Sequence, residues 1–125
     1  MLGAYDSSAI VAVRDLDRAR AFYGDLLGLD AEADAGTGVL LFKTGATTLV
    51  VYPSEEAGTN RANAVVFSGI ADLDAVVGGL RDRGVTFEHY DLPGLTLDGD
   101  VHRRGDDGFV WFKDPDGNLL HLTTL

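Results

Sequence analysis

An internal repeat constrains this chain more than any other feature. Asp15-Leu16-Asp17 opens one helical pattern and Asp72-Leu73-Asp74 opens another. In the first, Leu16, Ala19, Phe22, Tyr23, Leu26 and Leu27 recur at steps of three and four, so they share a helical face. Asp15 suits its N-cap, and Gly28 stops it where a left-handed residue is favoured. In the second, Leu73, Val76, Val77 and Leu80 make the stripe, Asp72 the cap and Gly84 the stop. Gly78 and Gly79 each weaken that helix by roughly 1 kcal/mol relative to alanine, so it needs a sheet to pack on.

Each helix follows a strand-like run, residues 9–13 and 64–67, and precedes a hairpin. In the first hairpin Gly38 leads four apolar residues and Lys43 into a turn at 44–46, and residues 47–52 return. In the second Gly108 leads four apolar residues and Lys113 into Asp114-Pro115-Asp116-Gly117, and residues 119–124 return. The second half has an extra predicted strand at 85–89, followed by a glycine- and aspartate-rich loop at 91–100. Residues 55–63 are polar and read as a linker. The expectation is an α+β fold, one domain over residues 1–125, built from βαβββ modules at 5–58 and 63–125.

Composition narrows the partners. A chain of 125 residues, 46% apolar and 24% charged, can build one core and has no run of about 20 apolar residues for a membrane span. The N-terminus lacks the basic-then-apolar pattern of a signal peptide. With no cysteine, disulfides, thiolate catalysis and Cys-ligated metals are excluded, which is compatible with the cytoplasmic location expected here. A formal charge of −10 disfavours nucleic acid and anionic membranes, and Arg103-Arg104 is the only adjacent basic pair. The acidity serves solubility, or it attracts a cationic small ligand. Dinucleotide, P-loop, nucleophile-elbow and HExxH motifs are missing. The spacing of Asp114, Asp116 and Asn118 is faintly that of a calcium loop, but Pro115 and the flanking strands favour a turn.

Two motifs carry a family resemblance. Residues 13–29, with Asp15-Leu16-Asp17, Phe22-Tyr23 and Leu26-Leu27-Gly28, match a first helix and its exit; Trp111 to Asn118 matches a last hairpin. In combination they resemble the vicinal oxygen chelate superfamily, which unites glyoxalases, bleomycin resistance proteins and extradiol dioxygenases. The resemblance implies two βαβββ modules whose curved mixed sheets enclose a cleft, with the helices outside. Metalloenzymes of that superfamily take four side chains, usually His or Glu, from the first and last strand of each module. Those positions fall on Ser8, Leu49, Val65 and His121, and a slip of one gives Val50 or Ala64. Three of the four lack a ligand atom of the usual kind, so no metal cofactor is expected. A divalent ion at other ligands is disfavoured.

His121 shares a strand face with Leu119 and Thr123, and the resemblance points it into the cleft. It reads either as a core histidine bonded to a carbonyl or hydroxyl, or as a group that contacts ligand or moves a proton. The same reasoning lines the cleft with Ser8, Ile10, Leu49, Val51, Val65, Phe67, His121 and Thr123. Trp111 and Phe112 occupy opposite faces of one strand; whether Trp111 joins the cleft or the core stays open. His89 and His102 are expected at the solvated rim, a three-histidine site with His121 being the other arrangement. Tyr90 reads as a surface tyrosine, or as a residue closing over the pocket.

The leading functional expectation is a protein of the bleomycin-resistance type that binds a small apolar or cationic molecule without metal. The alternative is an enzyme, of lyase, isomerase or dioxygenase-like chemistry, using His121 as acid/base or a non-standard metal site. A third reading is a module whose cleft is vestigial. The resemblance and the sheet edges to be covered suggest a homodimer.

Overall fold

Residues 1–32 and 38–125 are described by the structure, a computed structural model, and they divide into two units, Met1–Thr59 and Asn60–Leu125. The first holds β1 (Ala9–Val13), α1 (Leu16–Ala19), β2 (Asp30–Ala31), β3 (Leu40–Thr44) and β4 (Thr47–Pro53). Its strands lie in the order β1-β4-β3-β2, with β1 parallel to β4 and the other pairs antiparallel. The second holds β5 (Asn63–Phe67), α2 (Leu73–Asp82), β6 (Phe87–Glu88), β7 (Thr96–Asp98), β8 (Val101–Arg104), β9 (Asp107–Lys113) and β10 (Leu119–Thr123). Its order is β5-β10-β9-β8-β7, β6 also pairs with β9, and β5 runs parallel to β10. The protein is thus α+β, with one mixed sheet and one main helix per unit. Among the described residues no helix is long and apolar enough to cross a membrane.

Both helices start where the aspartates direct them. The Asp15 carboxylate accepts the Arg18 N–H and the Asp72 carboxylate accepts the Ala75 N–H, each at 3.0 Å. Each satisfies one donor that the first helical turn leaves open. Gly28 and Gly84 follow the helices at φ of 73° and 90°, a region costly for any side chain. The first helix departs from regular α geometry: after Ala19 it continues as a π-helix over Arg20–Leu26, and the Leu27 N–H reaches back to the Phe22 carbonyl at 2.9 Å. Tyr23 is buried on it and packs on Phe42 of β3, centroids 6.0 Å apart. In α2, Leu73 and Val77 are buried but Val76 is exposed, so the predicted stripe is narrower by that residue.

Contact between α2 and its sheet is close at Gly108. A β-carbon there lies 2.7 Å from Leu73 Cδ2 and 3.3 Å from Val101 Cγ1, and both neighbours are buried. The glycine that opens the hairpin motif is therefore the residue that lets the helix approach β9. The long loop is more ordered than the sequence suggests. Residues 85–89 shrink to the two-residue strand β6, while 91–100 contains β7, a hairpin partner of β8. Thr96, Leu97 and Asp98 are all exposed, so β7 has no apolar alternation by which to be found. Arg103 secures this hairpin by bonding Asp98 at 2.9 Å and Asp74 of α2 at 2.7 Å.

Candidate ligand-binding face

Strand pairing sorts the candidate residues into two classes. In the first unit Leu49 pairs with Phe42 and with Ala9, and Val51 pairs with Leu40 and with Val11. Phe42 meets Tyr23, so this is the face beneath the helix, and Leu49 is 1% exposed. Ile10 pairs instead with Val50 and lies on the opposite face, 60% exposed, with Ser8 exposed just before the strand. Leu49 and Val51 therefore belong to the core and do not share a face with Ile10.

The second unit shows the same division. Val65 pairs with Leu120, and Phe67 with Leu122, on the side that carries Gly108, Val110 and Phe112 against α2. His121 pairs with Val66 on one side and Trp111 on the other, and Thr123 pairs with Phe109. Val65 and Phe67 thus leave the predicted set, Val66 replaces them, and Trp111 and Phe109 join the face of His121.

The misplacement has one physical cause. Lys113 pairs with Leu119 across a turn of residues 114–118, whereas Thr44 pairs with Thr47 across residues 45–46. Counting from the turn glycine equates Leu49 with His121, but five turn residues against two shift the register. Pairing equates Leu49 with Leu120, both opposite a phenylalanine, and Val50 with His121. Because side chains alternate with period two, a slip of one exchanges the faces.

On the face away from α2, aromatic rings form a continuous cluster. The His121 imidazole stacks on the Trp111 indole with centroids 4.6 Å apart and planes 19° apart. Phe109 lies parallel to His121 at 6.1 Å and 2°. His102 meets Trp111 edge-on at 4.9 Å, and Tyr90 meets it edge-on at 5.6 Å. The Trp111 Nε1–H donates to Asn63 Oδ1 at 3.1 Å, which fixes the indole. Arg104 lies 5.4 Å above Phe109, a cation–π arrangement at one end of the cluster.

The three histidines have different states. His121 donates from Nδ1 to the Val110 carbonyl at 3.0 Å, so in the neutral ring Nε2 carries the lone pair. Burial pushes its pKa below the ordinary 6.5, partly opposed by that same hydrogen bond. His102 is 0% exposed, contrary to the expected rim position; Nδ1 donates to the Phe109 carbonyl at 3.2 Å and Nε2 accepts the Tyr90 N–H at 2.9 Å. His89 alone sits near solvent, with Nε2 2.7 Å from Asp100 Oδ1. Arg81 binds the other Asp100 oxygen, and these two bonds hold the Asp100 carboxyl below its ordinary range.

No group of three His, Cys, Asp or Glu residues among those described is placed to hold a metal ion. The three-histidine arrangement is not formed, since His102 has both nitrogens engaged and His89 is tied to Asp100. The calcium-like spacing is a turn: Asp114 Oδ1 accepts the N–H groups of Asp116 and Asn118 at 2.9 and 2.8 Å, and Oδ2 accepts Asn118 Nδ2 at 2.8 Å. Tyr90 is half-buried against His102 and Trp111, not a plain surface residue. Phe109 and Val66 were missed as members of this face, while His102 was expected at its rim and Tyr90 as a surface residue or one closing over the pocket. Alternation from Trp111 gives Phe109 directly; the others need the pairing of β5, β6 and β8.

A family model, "Glyoxalase/Bleomycin resistance protein/Dioxygenase superfamily", matches residues 7–122. Solved structures share the fold. A lactoylglutathione lyase from Agrobacterium tumefaciens is 20% identical with a TM-score of 0.70, over 96% of this chain and 92% of that one. The fosfomycin resistance protein FosX from Mesorhizobium loti is 17% identical with a TM-score of 0.68, over 100% and 94%. A glyoxalase/bleomycin resistance protein/dioxygenase from Alicyclobacillus acidocaldarius is 21% identical with a TM-score of 0.69, over 98% and 93%. No curated protein matches the sequence significantly.

Proposed function

Because the chain belongs to the glyoxalase/bleomycin resistance protein/dioxygenase superfamily, we propose that it binds a small apolar or cationic molecule against the Trp111–His121 face, without the superfamily's metal. The observation that carries the reading is the flat stack of His121 on Trp111. Aromatic faces attract cations, the formal charge of −10 adds to that attraction, and a neutral His121 offers Nε2 to a ligand N–H or O–H donor. Donor chemistry supports the metal-free reading. With the register corrected, the last-strand positions are Val50 and His121 and their first-strand partners are Ile10 and Val66, so His121 is the one side chain of the four with a ligand atom of the usual kind.

Trp111 is the only tryptophan, so its emission reports on this face alone. Titration with benzyltrimethylammonium should change that emission saturably, and an anionic analogue, benzenesulfonate, should bind more weakly. Equal affinity for both, or no saturable change with any aromatic probe, contradicts the reading. Elemental analysis after dialysis should find less than one bound divalent ion per chain. Light scattering should give a homodimer, in which sheet edges are covered.

A second reading is an enzyme in which His121 Nε2 takes a proton from a bound substrate. It is favoured by the orienting bond to the Val110 carbonyl and by burial, which keeps the ring neutral. The neighbour named as a lactoylglutathione lyase fits that reading. Turnover abolished by His121→Gln with binding retained would establish it over simple binding.

A further inference from the structure

We infer that Tyr90 forms a second aromatic wall of the ligand-binding face and that buried His102 is the positioning residue that holds it there. The inference rests on the binding role proposed above and adds two residues to it. Tyr90 lies just beyond β6, whose Glu88 pairs with Trp111, in a stretch where the strand has ended. A side chain there has no sheet ladder to fix it. Its backbone N–H is fixed instead by a side chain, donating to His102 Nε2 at 2.9 Å. The same imidazole is anchored to β9 through Nδ1 and the Phe109 carbonyl at 3.2 Å.

One ring thus bridges the main chain of Tyr90 to the main chain of the strand that carries Trp111. It also sets the Tyr90 ring, which stacks on His102 at 26° and 6.2 Å and meets Trp111 edge-on at 76° and 5.6 Å. His102 is completely buried and no part of it is available to ligand, so its influence on binding passes through Tyr90. Only the form with Nε2 unprotonated can accept the Tyr90 N–H, and only Nδ1–H can donate to the carbonyl. That demand for one acceptor and one donor explains a histidine where an apolar residue would fill the same space.

The test has one arm without ligand and one with it. In the unliganded protein, His102→Phe should raise the hydrogen-exchange rate of the Tyr90 amide by about tenfold or more, because its acceptor is gone. His102→Gln, which keeps one acceptor and one donor, should restore protection. With benzyltrimethylammonium as probe, Tyr90→Leu should weaken binding by about tenfold while Tyr90→Phe stays near wild type, since the ring face is what acts. His102→Phe should weaken binding similarly in the wild-type background and have little further effect on Tyr90→Leu. An unchanged Tyr90 exchange rate in His102→Phe overturns the positioning role. Should that variant not fold, an unprotected Tyr90 amide in wild type overturns it equally. Full affinity in Tyr90→Leu overturns the wall, and additive losses in the double variant overturn the positioning role. If the wild-type protein binds no aromatic probe, the proposed function fails, and the exchange arm still decides what His102 does.

Discussion

His121 and Trp111 are direct cross-strand partners on β10 and β9, and their rings lie 4.6 Å apart at 19°. The pair joins the candidate acid/base to the chain's only tryptophan, so the protonation of one is readable in the emission of the other. Burial lowers the His121 pKa from 6.5, and the hydrogen bond to Val110 opposes that only in part. The unfolded chain therefore takes up this proton at a higher pH than the folded chain. The resulting contribution to stability is complete above 6.5 and is lost as pH falls through the folded value.

A pH titration of Trp111 emission should show quenching by the imidazolium with a midpoint below 6.5. In His121→Gln that transition should vanish. A midpoint at or above 6.5, or a transition that survives the substitution, contradicts the assignment.

The register of the first unit predicts opposite outcomes at two positions first assigned to one face. Leu49→Ala removes a fully buried side chain packed on Phe42 and should cost about 2–5 kcal/mol in urea unfolding. Ile10→Ala, at an exposed position, should cost less than about 1 kcal/mol. Similar losses at both would mean that the pairing of β1 with β4 is wrong.

Asp114 is predicted to be structural. Its carboxylate accepts three hydrogen bonds within its own turn. Asp114→Ala should lower stability by about 1–3 kcal/mol, and calcium should leave the thermal midpoint of the wild-type protein unmoved. A calcium-dependent rise in that midpoint would return the segment to a metal loop.

Much of the fold was legible because the strongest local signals agree with the tertiary structure. Asp15 and Asp72 cap the two helices, and both hairpins form around the glycine-containing turns. Two kinds of feature were not legible. The π-helical turn after Ala19 leaves the three-and-four stripe nearly unchanged while widening the helix, and β7 is exposed on every residue. In the candidate site, His121 came from strand alternation together with the family resemblance, while Trp111 stayed open between cleft and core. Leu49, Val51, Val65 and Phe67 were misplaced because the two turns differ in length, and a one-residue slip exchanges the two faces of a strand. His102 was misjudged because its partners, the Tyr90 N–H and the Phe109 carbonyl, are backbone groups that no residue type announces.

The affinity of His121→Ala for benzyltrimethylammonium, followed through Trp111 emission beside the wild-type protein, tests the binding role most directly. His121 is half-buried at a sheet face, so the variant should fold with a thermal midpoint within several degrees of wild type. Its affinity should fall by about 1–1.5 kcal/mol, roughly tenfold, for the loss of one aromatic partner of the bound cation. An unchanged affinity in a folded His121→Ala protein would contradict the assignment of the Trp111–His121 face as the ligand site.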